Sequence, residues 1–295
     1  MQGMHPKKTP DHQPVARTDH QPGSPVQKIT ESPSRHRHLE EMTTGGIISA
    51  INEEDSQVAP AVRKVLPHIA ALVDAVALRL AGGGRLFYIG AGTSGRLGIL
   101  DASEWAPTFG VPETMVHGIM AGGRDAYRFG IEDAEDDPAQ GWADLQQQHI
   151  SPADFVVGIA ASGTTPYVAG ALEECRAHKI GTGCIVCNPG SPVAAWADYP
   201  VEVVVGPEFV TGSTRMKSGT AQKMVLNMLS TAVMIRLGRV QDNKMVHMQI
   251  SNDKLLHRGI LMLMEKAGIT DYEQARTLLE KYGSVHAALQ HPLNR

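Results

Sequence analysis

The sequence is short of the features that mark secreted, membrane-spanning and nucleic-acid-binding proteins. It has only 3 cysteines in 295 residues, too few for a disulfide framework, so we expect a reducing, cytoplasmic environment. No apolar run approaches the roughly 18 residues that cross a bilayer. The start of the chain also lacks the apolar core of a secretory signal. With a formal net charge of -4 the chain shows no basic footprint, so we expect neither a membrane nor nucleic acid as a partner.

The chain nevertheless contains enough apolar material for a large globular fold. Hydrophobic residues make up 42% and charged residues 20% of it, and this length suffices for one large core or two ordinary domains. Residues 1–28 are dominated by Pro, His, Gln and Lys, and we expect them to form a disordered extension. The main domain is predicted over residues 29–240 and a small helical region over residues 241–295.

Helical patterns flank the centre of the chain. Between Leu39 and Leu80, apolar residues recur at steps of three and four, which is typical of one face of a helix. A long helix is predicted over about residues 220–237. In the helical tail, Thr270 and Glu273 have the spacing of a capping box, and Gly283 marks a helix end.

Five short apolar runs separated by helical stretches predict an α/β fold with a doubly wound, parallel, five-stranded sheet. If the strand order is the flavodoxin-like 2-1-3-4-5, a ligand should bind where the first and third strands part. That rule points to a first loop, Gly90 to Gly95, and a second loop, Ala161 to Pro166. The runs are Leu86 to Ile89, Met115 to Met120, Phe155 to Ala160, Cys184 to Cys187 and Val201 to Val205.

The first loop formally satisfies the glycine fingerprint of dinucleotide-binding proteins. The fingerprint also needs an acidic residue after the second strand to hold a ribose, and that strand runs into Ala121 to Arg124 without one. The hydroxyls of Thr93 and Ser94 better suit a sugar or phosphate oxygen, so we expect no nicotinamide cofactor. A tight turn that needs only its glycines is the plainer alternative.

Two further loops offer groups for an anion. In the second loop, Pro166 suits the first position of a helix with Thr165 as its N-cap. The backbone N–H groups there and the hydroxyl-rich residues from Ser162 onward predict a phosphate site. A third loop, Gly212 to Gly219, could add a contact through its cation, Arg215 or Lys217, although alone it is equally typical of a solvated loop.

The metal-binding residue types lack the spacing of a metal site. Cys184 and Cys187 spell a C-x-x-C motif, but within a strand two residues three apart point to opposite faces. The histidines lie mostly in the tails and lack ligand spacing. We therefore expect no metal and interpret both cysteines as core residues.

Two carboxylates are candidates for acid–base chemistry. Glu104 lies at the far end of the helix that the first loop opens, among apolar neighbours that would favour a protonated carboxyl group. Glu135 lies in the acidic run Ile131 to Asp137, which is more often a solvated helix end, and the pattern does not single it out from its acidic neighbours. Glu208, beside the third loop, is a further candidate base.

Several long strings resemble the N-acetylmuramic acid 6-phosphate etherase family, from about residue 29 to the C-terminus. Three departures stand out. Thr164 stands where the family usually has Arg, Lys244 and His247 stand where it usually has Leu and Asp, and the C-terminal tail looks shorter than in some members. The strings are Gly90 to Glu104, Gly158 to Tyr167, Cys187 to Ser191 and Val210 to Lys223, with shorter ones at Thr30 to Glu31 and Ile51 to Asp55.

The resemblance implies a sugar isomerase (SIS) fold over residues 29–240 and a cofactor-independent lyase reaction. The family cleaves the D-lactyl ether of N-acetylmuramic acid 6-phosphate, giving N-acetylglucosamine 6-phosphate and D-lactate. By resemblance Glu104 is the acid and Glu135 the second catalytic carboxylate. The substrate-binding residues are then expected to be Thr93, Ser94, Ser162, Gly163, Thr165 and Ser213.

One distance limits this assignment. Ten helical residues from Ser94 to Glu104 would rise about 15 Å, more than the reach from the phosphate to carbon 3 of a hexose. Either the phosphate binds mainly to the second loop, or the helix breaks before Glu104, or Glu104 enters a partner's site. Because SIS domains commonly pair with sites at the interface, the resemblance also implies a homodimer. The rival functions are an aldose–ketose isomerase on the same fold and a non-catalytic sugar-phosphate sensor.

Overall fold

The computed structural model describes residues 28–250 and 252–291, so the predicted extension lies outside the described residues except for Lys28. Helices dominate the N-terminal part, as the apolar spacing there predicts. Two short 3-10 helices, Ile29–Glu31 and Leu39–Glu41, precede α1 (Thr44–Asp55), α2 (Val58–Arg63) and α3 (Leu66–Ala81).

The centre of the chain is a parallel sheet of five strands in the order β2-β1-β3-β4-β5, which confirms the predicted fold class and order. Helices follow the strands and continue into the C-terminal region. The strands are β1 (Leu86–Gly90), β2 (Val116–Met120), β3 (Phe155–Ala160), β4 (Gly181–Val186) and β5 (Tyr199–Glu202). The helices are α4 (Gly92–Phe109), α5 (Gly123–Arg128), α6 (Gln140–Gln147), α7 (Pro166–Ala177), α8 (Pro192–Ala195), α9 (Lys217–Arg236), α10 (Asp253–Ala267), α11 (Tyr272–Tyr282) and α12 (Val285–Gln290).

Helices cover the sheet on both faces, which explains why its strands are nearly continuous apolar runs. All five residues of β1 are buried. Because side chains alternate along a strand, Leu86 and Tyr88 join the core cluster with α3 and α9. Phe87 and Ile89 join the cluster on the other face, with α7.

Long-range contacts set several ends that the sequence pattern misplaced. The fifth strand ends at Glu202, not Val205, because β4 ends at its register partner Val186. Helix α9 begins at Lys217, three residues before the predicted start, because the Glu208 carboxylate accepts hydrogen bonds from the N–H groups of Lys217 and Ser218 at 2.9 Å. Such a carboxylate satisfies amide groups that have no partner within a helix.

The cap of α11 differs from the predicted capping box. Asp271, not Thr270, is the N-cap, and its Oδ1 accepts hydrogen bonds from the N–H groups of Glu273 at 2.9 Å and Gln274 at 3.4 Å. The predicted helix end is confirmed, since Gly283 is the C-cap residue with a φ of 75°, a left-handed conformation that favours glycine.

The C-terminal helices form a separate small core. Buried residues of α10, α11 and α12, including Leu263 and Leu279, pack together with Val246. This region contacts the end of α4, where the Gln249 N–H donates to the Pro107 carbonyl at 3.1 Å. The division of the chain at residues 28/29 and 240/241 stays a prediction. Among the described residues, no helix combines the length and the apolar character needed to cross a membrane.

A buried ion pair joins α1 to the start of α9. Lys217 is 1% exposed, and its Nζ donates to Glu54 Oε2. His36 Nε2 lies 3.2 Å from the other carboxylate oxygen, Oε1. Burial would raise the pKa of Glu54, but the interactions with Lys217, His36 and Arg35 lower it below its ordinary value.

We expect Glu54→Gln to lower the free energy of unfolding by about 3–5 kcal/mol, because Lys217 would stay buried without its counter-charge. Since the pKa of Glu54 is lowered in the folded state, this contribution is present above the ordinary glutamate pKa and is lost as the pH falls. Urea denaturation at neutral and acidic pH measures both effects. Exposed Glu53 provides the control Glu53→Gln, expected within about 0.5 kcal/mol of wild type. An equal loss in both variants would contradict the account.

Candidate active site

The first and second loops lie side by side at the carboxyl edge of the sheet. They follow the neighbouring strands β1 and β3, in which Gly90 is the register partner of Ile159. The backbone is tightly packed here, because a side chain on Gly90 would come within 2.8 Å of the Gly95 nitrogen. The glycines therefore have a structural reason of their own, and a dinucleotide is not needed to explain them.

The two hydroxyl residues of the first loop have different surroundings. Thr93 is half-buried. Its Cγ2 lies next to Gly219 of the third loop, since a Cβ atom added to that glycine would be 3.6 Å from Thr93 Cγ2. Ser94 is buried, and its Oγ donates to Gln222 Oε1 of α9 at 2.9 Å. In the described residues, Nε2 of buried Gln222 has no hydrogen-bond partner. Ser94 thus attaches the first loop to α9, and Thr93 is the more accessible of the two.

The second loop is a compact turn at the start of α7. Ser162 Oγ accepts from the Thr164 backbone N–H and lies at the same 3.2 Å from the Thr164 hydroxyl. Gly163 has a φ of 68°, and a side chain there would come within 2.2 Å of Ser191 Oγ, so only glycine fits. The prediction that α7 begins at Pro166 with Thr165 at the N-cap is confirmed.

The N-terminus of α7 opens toward this turn. The Thr165 side chain makes no capping hydrogen bond in the described structure, although it occupies the N-cap position. Ser162 and Thr165 are half-buried rather than buried. The positive end of the helix dipole therefore lies beside hydroxyl groups that solvent can reach, which is the arrangement of an anion site.

The third loop lies next to the first, but its two cations differ. Ser213 is half-buried, Arg215 is exposed, and Lys217 is buried in its ion pair with Glu54. Of the two cations, Arg215 is therefore the one that could contact a ligand. The Glu208 carboxylate is 1% exposed and also accepts from Ser218 Oγ at 2.7 Å. Because Glu208 already holds three donors at the start of α9, its interpretation as a base is not supported.

The two candidate catalytic carboxylates are exposed in the single chain. Glu104 lies on α4, which is unbroken from Gly92 to Phe109, so of the three alternatives the one in which the helix breaks before Glu104 is excluded. In a single chain Glu104 is exposed, although its chain neighbours Trp105 and Ala106 are buried. Glu135 ends the 3-10 helix Glu132–Glu135, which packs against α7. The structure therefore brings the element that carries Glu135 against the helix of the second loop.

Asp101 is a residue that the sequence pattern did not single out. One turn before Glu104, its carboxylate accepts from Tyr88 Oη at 2.9 Å, Trp105 Nε1 at 3.0 Å and Ser230 Oγ at 3.0 Å. Burial raises the pKa of Asp101, and these hydrogen bonds oppose the shift. The network attaches α4 to β1 and α9, and so fixes the helix that carries Glu104.

The departures from the family pattern lie mainly in the C-terminal packing. Lys244 forms an ion pair with Glu265 of α10, and the His247 ring lies 4.1 Å from that of His286 in α12. Burial, His286 and Arg239 lower the pKa of His247. Lys244 and His247 thus help to hold the C-terminal helices, whereas Thr164 belongs to the second loop.

Two residue groups bear on metal binding. The three cysteines, none in a disulfide, are buried, and burial raises the pKa of Cys184 and Cys187 to about 12, which fits core residues. Cys187 lies just beyond β4 rather than within it. Among the described residues, one group could meet the geometry of a metal site, His38 with Glu40 and Glu41. All three are exposed and lie outside the loops.

The sequence is similar to curated proteins named N-acetylmuramic acid 6-phosphate etherase. The protein of that name from Porphyromonas gingivalis is 59% identical over 262 residues, which cover 89% of this chain and 95% of the relative. The one from Bacteroides thetaiotaomicron is 57% identical, with the same shares of both chains covered. The one from Symbiobacterium thermophilum is 55% identical and covers 85% of this chain and 83% of the relative.

Domain models and solved structures agree on the fold. The model of the SIS domain matches residues 137–232, and that of the glucokinase regulatory protein N-terminal SIS domain matches residues 68–176. An Escherichia coli CFT073 protein solved in complex with a ligand is 18% identical with a TM-score of 0.51, over 68% of this chain and 97% of that one. A phosphoheptose isomerase from Francisella tularensis is 16% identical with a TM-score of 0.50, over 65% of this chain and 98% of that one.

Proposed function

The chain belongs to the N-acetylmuramic acid 6-phosphate etherase family, and we propose that it cleaves the D-lactyl ether of N-acetylmuramic acid 6-phosphate. The products are N-acetylglucosamine 6-phosphate and D-lactate, a reaction that serves the recycling of cell-wall sugars. The observation that carries this proposal is the identity of 55–59% to relatives of that name over most of both chains. A cytoplasmic location fits the reduced cysteines.

The reaction needs one base and one acid. In the open-chain sugar, the aldehyde acidifies the proton on carbon 2. A base removes that proton, the bond between carbon 3 and the lactyl oxygen breaks, and an acid protonates the departing oxygen. Water then adds to carbon 3 of the unsaturated aldehyde, which restores a hydroxyl group there and a proton on carbon 2. Each proton transfer by a positioned side chain contributes roughly 10²–10⁴-fold.

We assign the acid to Glu104 and the base to Glu135, as the family resemblance implies. The second loop is the main phosphate site in this proposal, through Ser162, Gly163 and Thr165, because it combines accessible hydroxyls with the N-terminus of α7. The neighbouring residues Thr93 and Ser213 would contact the rest of the substrate. Buried Ser94 would contribute indirectly, because its hydrogen bond to Gln222 holds the first loop against α9.

In a homodimer, a second copy would cover Glu104, which is exposed in the single chain. The unbroken helix α4 carries Glu104 about 15 Å along its axis from Ser94, and α4 packs against α9. The outer face of α9 has an open apolar groove lined by residues that include Met224, Met228 and Ile235. Ile235 is 51% exposed. We propose that a second copy covers this groove and that Glu104 acts at or across the interface.

Removal of the Ser162 hydroxyl tests the phosphate site. Ser162→Ala should raise the KM for the 6-phosphate sugar about tenfold to a hundredfold, because a hydrogen bond to a charged oxygen contributes about 1.5–3 kcal/mol. Ser103→Ala is the matched control, since Ser103 is an exposed serine whose hydroxyl bonds only within α4 in the described structure. Steady-state kinetics measure both. An unchanged KM in Ser162→Ala would indicate that the phosphate binds to the first or third loop instead.

The roles of the two carboxylates can be separated in deuterated water. In Glu104→Gln the aldehyde and the base remain, so deuterium should enter carbon 2 of the substrate while almost no lactate is released. Glu135→Gln should show neither exchange nor elimination. Proton NMR of the carbon 2 signal and a lactate assay measure the two processes, with wild type releasing lactate as the reference.

Two outcomes would change the assignment or the function. Exchange that is lost in Glu104→Gln but persists in Glu135→Gln would reverse the two roles. A wild-type protein that exchanges the carbon 2 proton without releasing lactate would instead indicate an aldose–ketose isomerase. A protein that binds the substrate without either process would indicate a sugar-phosphate sensor.

A further inference from the structure

A segment near the N-terminus, Ile29–His36, lies across the carboxyl edge of the sheet, and we call it the N-terminal strap. Thr30, in its short 3-10 helix, is fully buried at 0% exposure. A polar residue at that depth needs hydrogen-bond partners. The partner of Thr30 is 158 residues away, in the turn that follows β4.

That partner, Asn188, is also fully buried and uses its whole amide group. Its Oδ1 accepts from the Thr30 backbone N–H at 3.1 Å, and its Nδ2 donates to Thr30 Oγ1 at 2.9 Å. The same Nδ2 donates to the Ser162 carbonyl oxygen at 2.9 Å. Thr30 therefore fixes the rotamer of a side chain that holds the backbone of Ser162.

The N-terminal strap also holds the third loop and the residues just before it. The Ser34 backbone N–H donates to Thr211 Oγ1 at 2.9 Å, and Ser34 Oγ donates to the Phe209 carbonyl at 2.7 Å. The Glu31 carboxylate lies over Gly212, with Oε2 3.1 Å from where a side chain on that glycine would begin. One short segment thus ties the second and third loops together.

We infer that Thr30 is a positioning residue for the phosphate site. Its hydroxyl and backbone N–H lock Asn188, which in turn fixes the Ser162 carbonyl and the orientation of the second loop toward the substrate phosphate. The inference rests on the proposed function, because it gives Thr30 a role only if the second loop binds the phosphate. Thr30 does not touch the reacting atoms in this account, so its loss should affect substrate binding more than the chemical step.

Replacement of the hydroxyl by a methyl group of the same size is the direct test. Thr30→Val should raise the KM for the 6-phosphate sugar about threefold to tenfold, the loss expected for one ordinary hydrogen bond, while kcat changes less. The inhibition constant of inorganic phosphate, used as a competitive probe, should rise by a similar factor. Thr30→Ser keeps the hydroxyl and should restore both values. Thr30→Ala provides a second variant should Thr30→Val not fold.

A matched control for Thr30 is available in strand β4. Thr182 is also fully buried, and its Oγ1 bonds to the Trp196 carbonyl and Asp198 Oδ2 at 3.1 Å. It lies near the amino end of β4, at the opposite edge from Ser162. Thr182→Val should therefore lower the Tm, because it also removes a buried hydroxyl, but should leave the KM and the phosphate inhibition constant unchanged.

The outcomes separate this inference from the proposed function. If Ser162→Ala raises the KM but Thr30→Val and Thr30→Ala do not, the phosphate site stands and the role of Thr30 is wrong. A fall in kcat with unchanged KM would also overturn it. If Ser162→Ala itself leaves both constants unchanged, the phosphate site is elsewhere, and the positioning role fails with it.

Discussion

The parallel pairing of β1 with β3 is the constraint on which the rest of the site depends. Gly90 and Ile159 are register partners near the carboxyl ends of these strands, so the loops that follow start side by side. The helices then diverge: α4 contributes Trp105 to the core on one face, whereas α7 contributes Val168 to the core on the other. Because the two helices pack on opposite faces of the sheet, the space between their loops is where the switch-point rule places a ligand.

Buried polar groups hold the other parts of the site in place around these loops. Glu208 binds the start of α9, Lys217 pairs with Glu54, and Asn188 joins Thr30 to the second loop. Each of these groups would be costly to bury alone. Glu208 and Asn188 each make three hydrogen bonds, and Lys217 has the Glu54 carboxylate as its counter-charge. Such networks favour a single arrangement of the loops, which a phosphate site made of hydroxyls and backbone N–H groups requires.

The sequence was sufficient for the five-stranded parallel sheet and, once the flavodoxin-like order was assumed, for the position of the first two loops. Apolar runs are a local signal, and the rule that a ligand binds where the first and third strands part depends only on strand order. Neither needs knowledge of side-chain contacts between distant residues. The sequence was not sufficient for features that depend on contacts between distant residues. Nothing in the pattern indicated that Glu208 would cap α9 or that Lys217 would be buried with Glu54. The pairing of Thr30 with Asn188, across 158 residues, has no signal in the spacing. The exposure of Glu104 likewise depends on what covers α4.

The central claim is that the ether is cleaved by elimination and water addition at carbon 3 of the sugar. Reaction in water labelled with oxygen-18, followed by mass spectrometry of both products, tests it directly. The account predicts a labelled oxygen on carbon 3 of N-acetylglucosamine 6-phosphate, counted separately from exchange of the carbon 1 aldehyde oxygen with water, and none in D-lactate. Lactate keeps the original ether oxygen, and water supplies the new hydroxyl on carbon 3. Label in the lactate hydroxyl, with an unlabelled oxygen on carbon 3 of the sugar, would mean that water attacks the lactyl carbon and would contradict the mechanism.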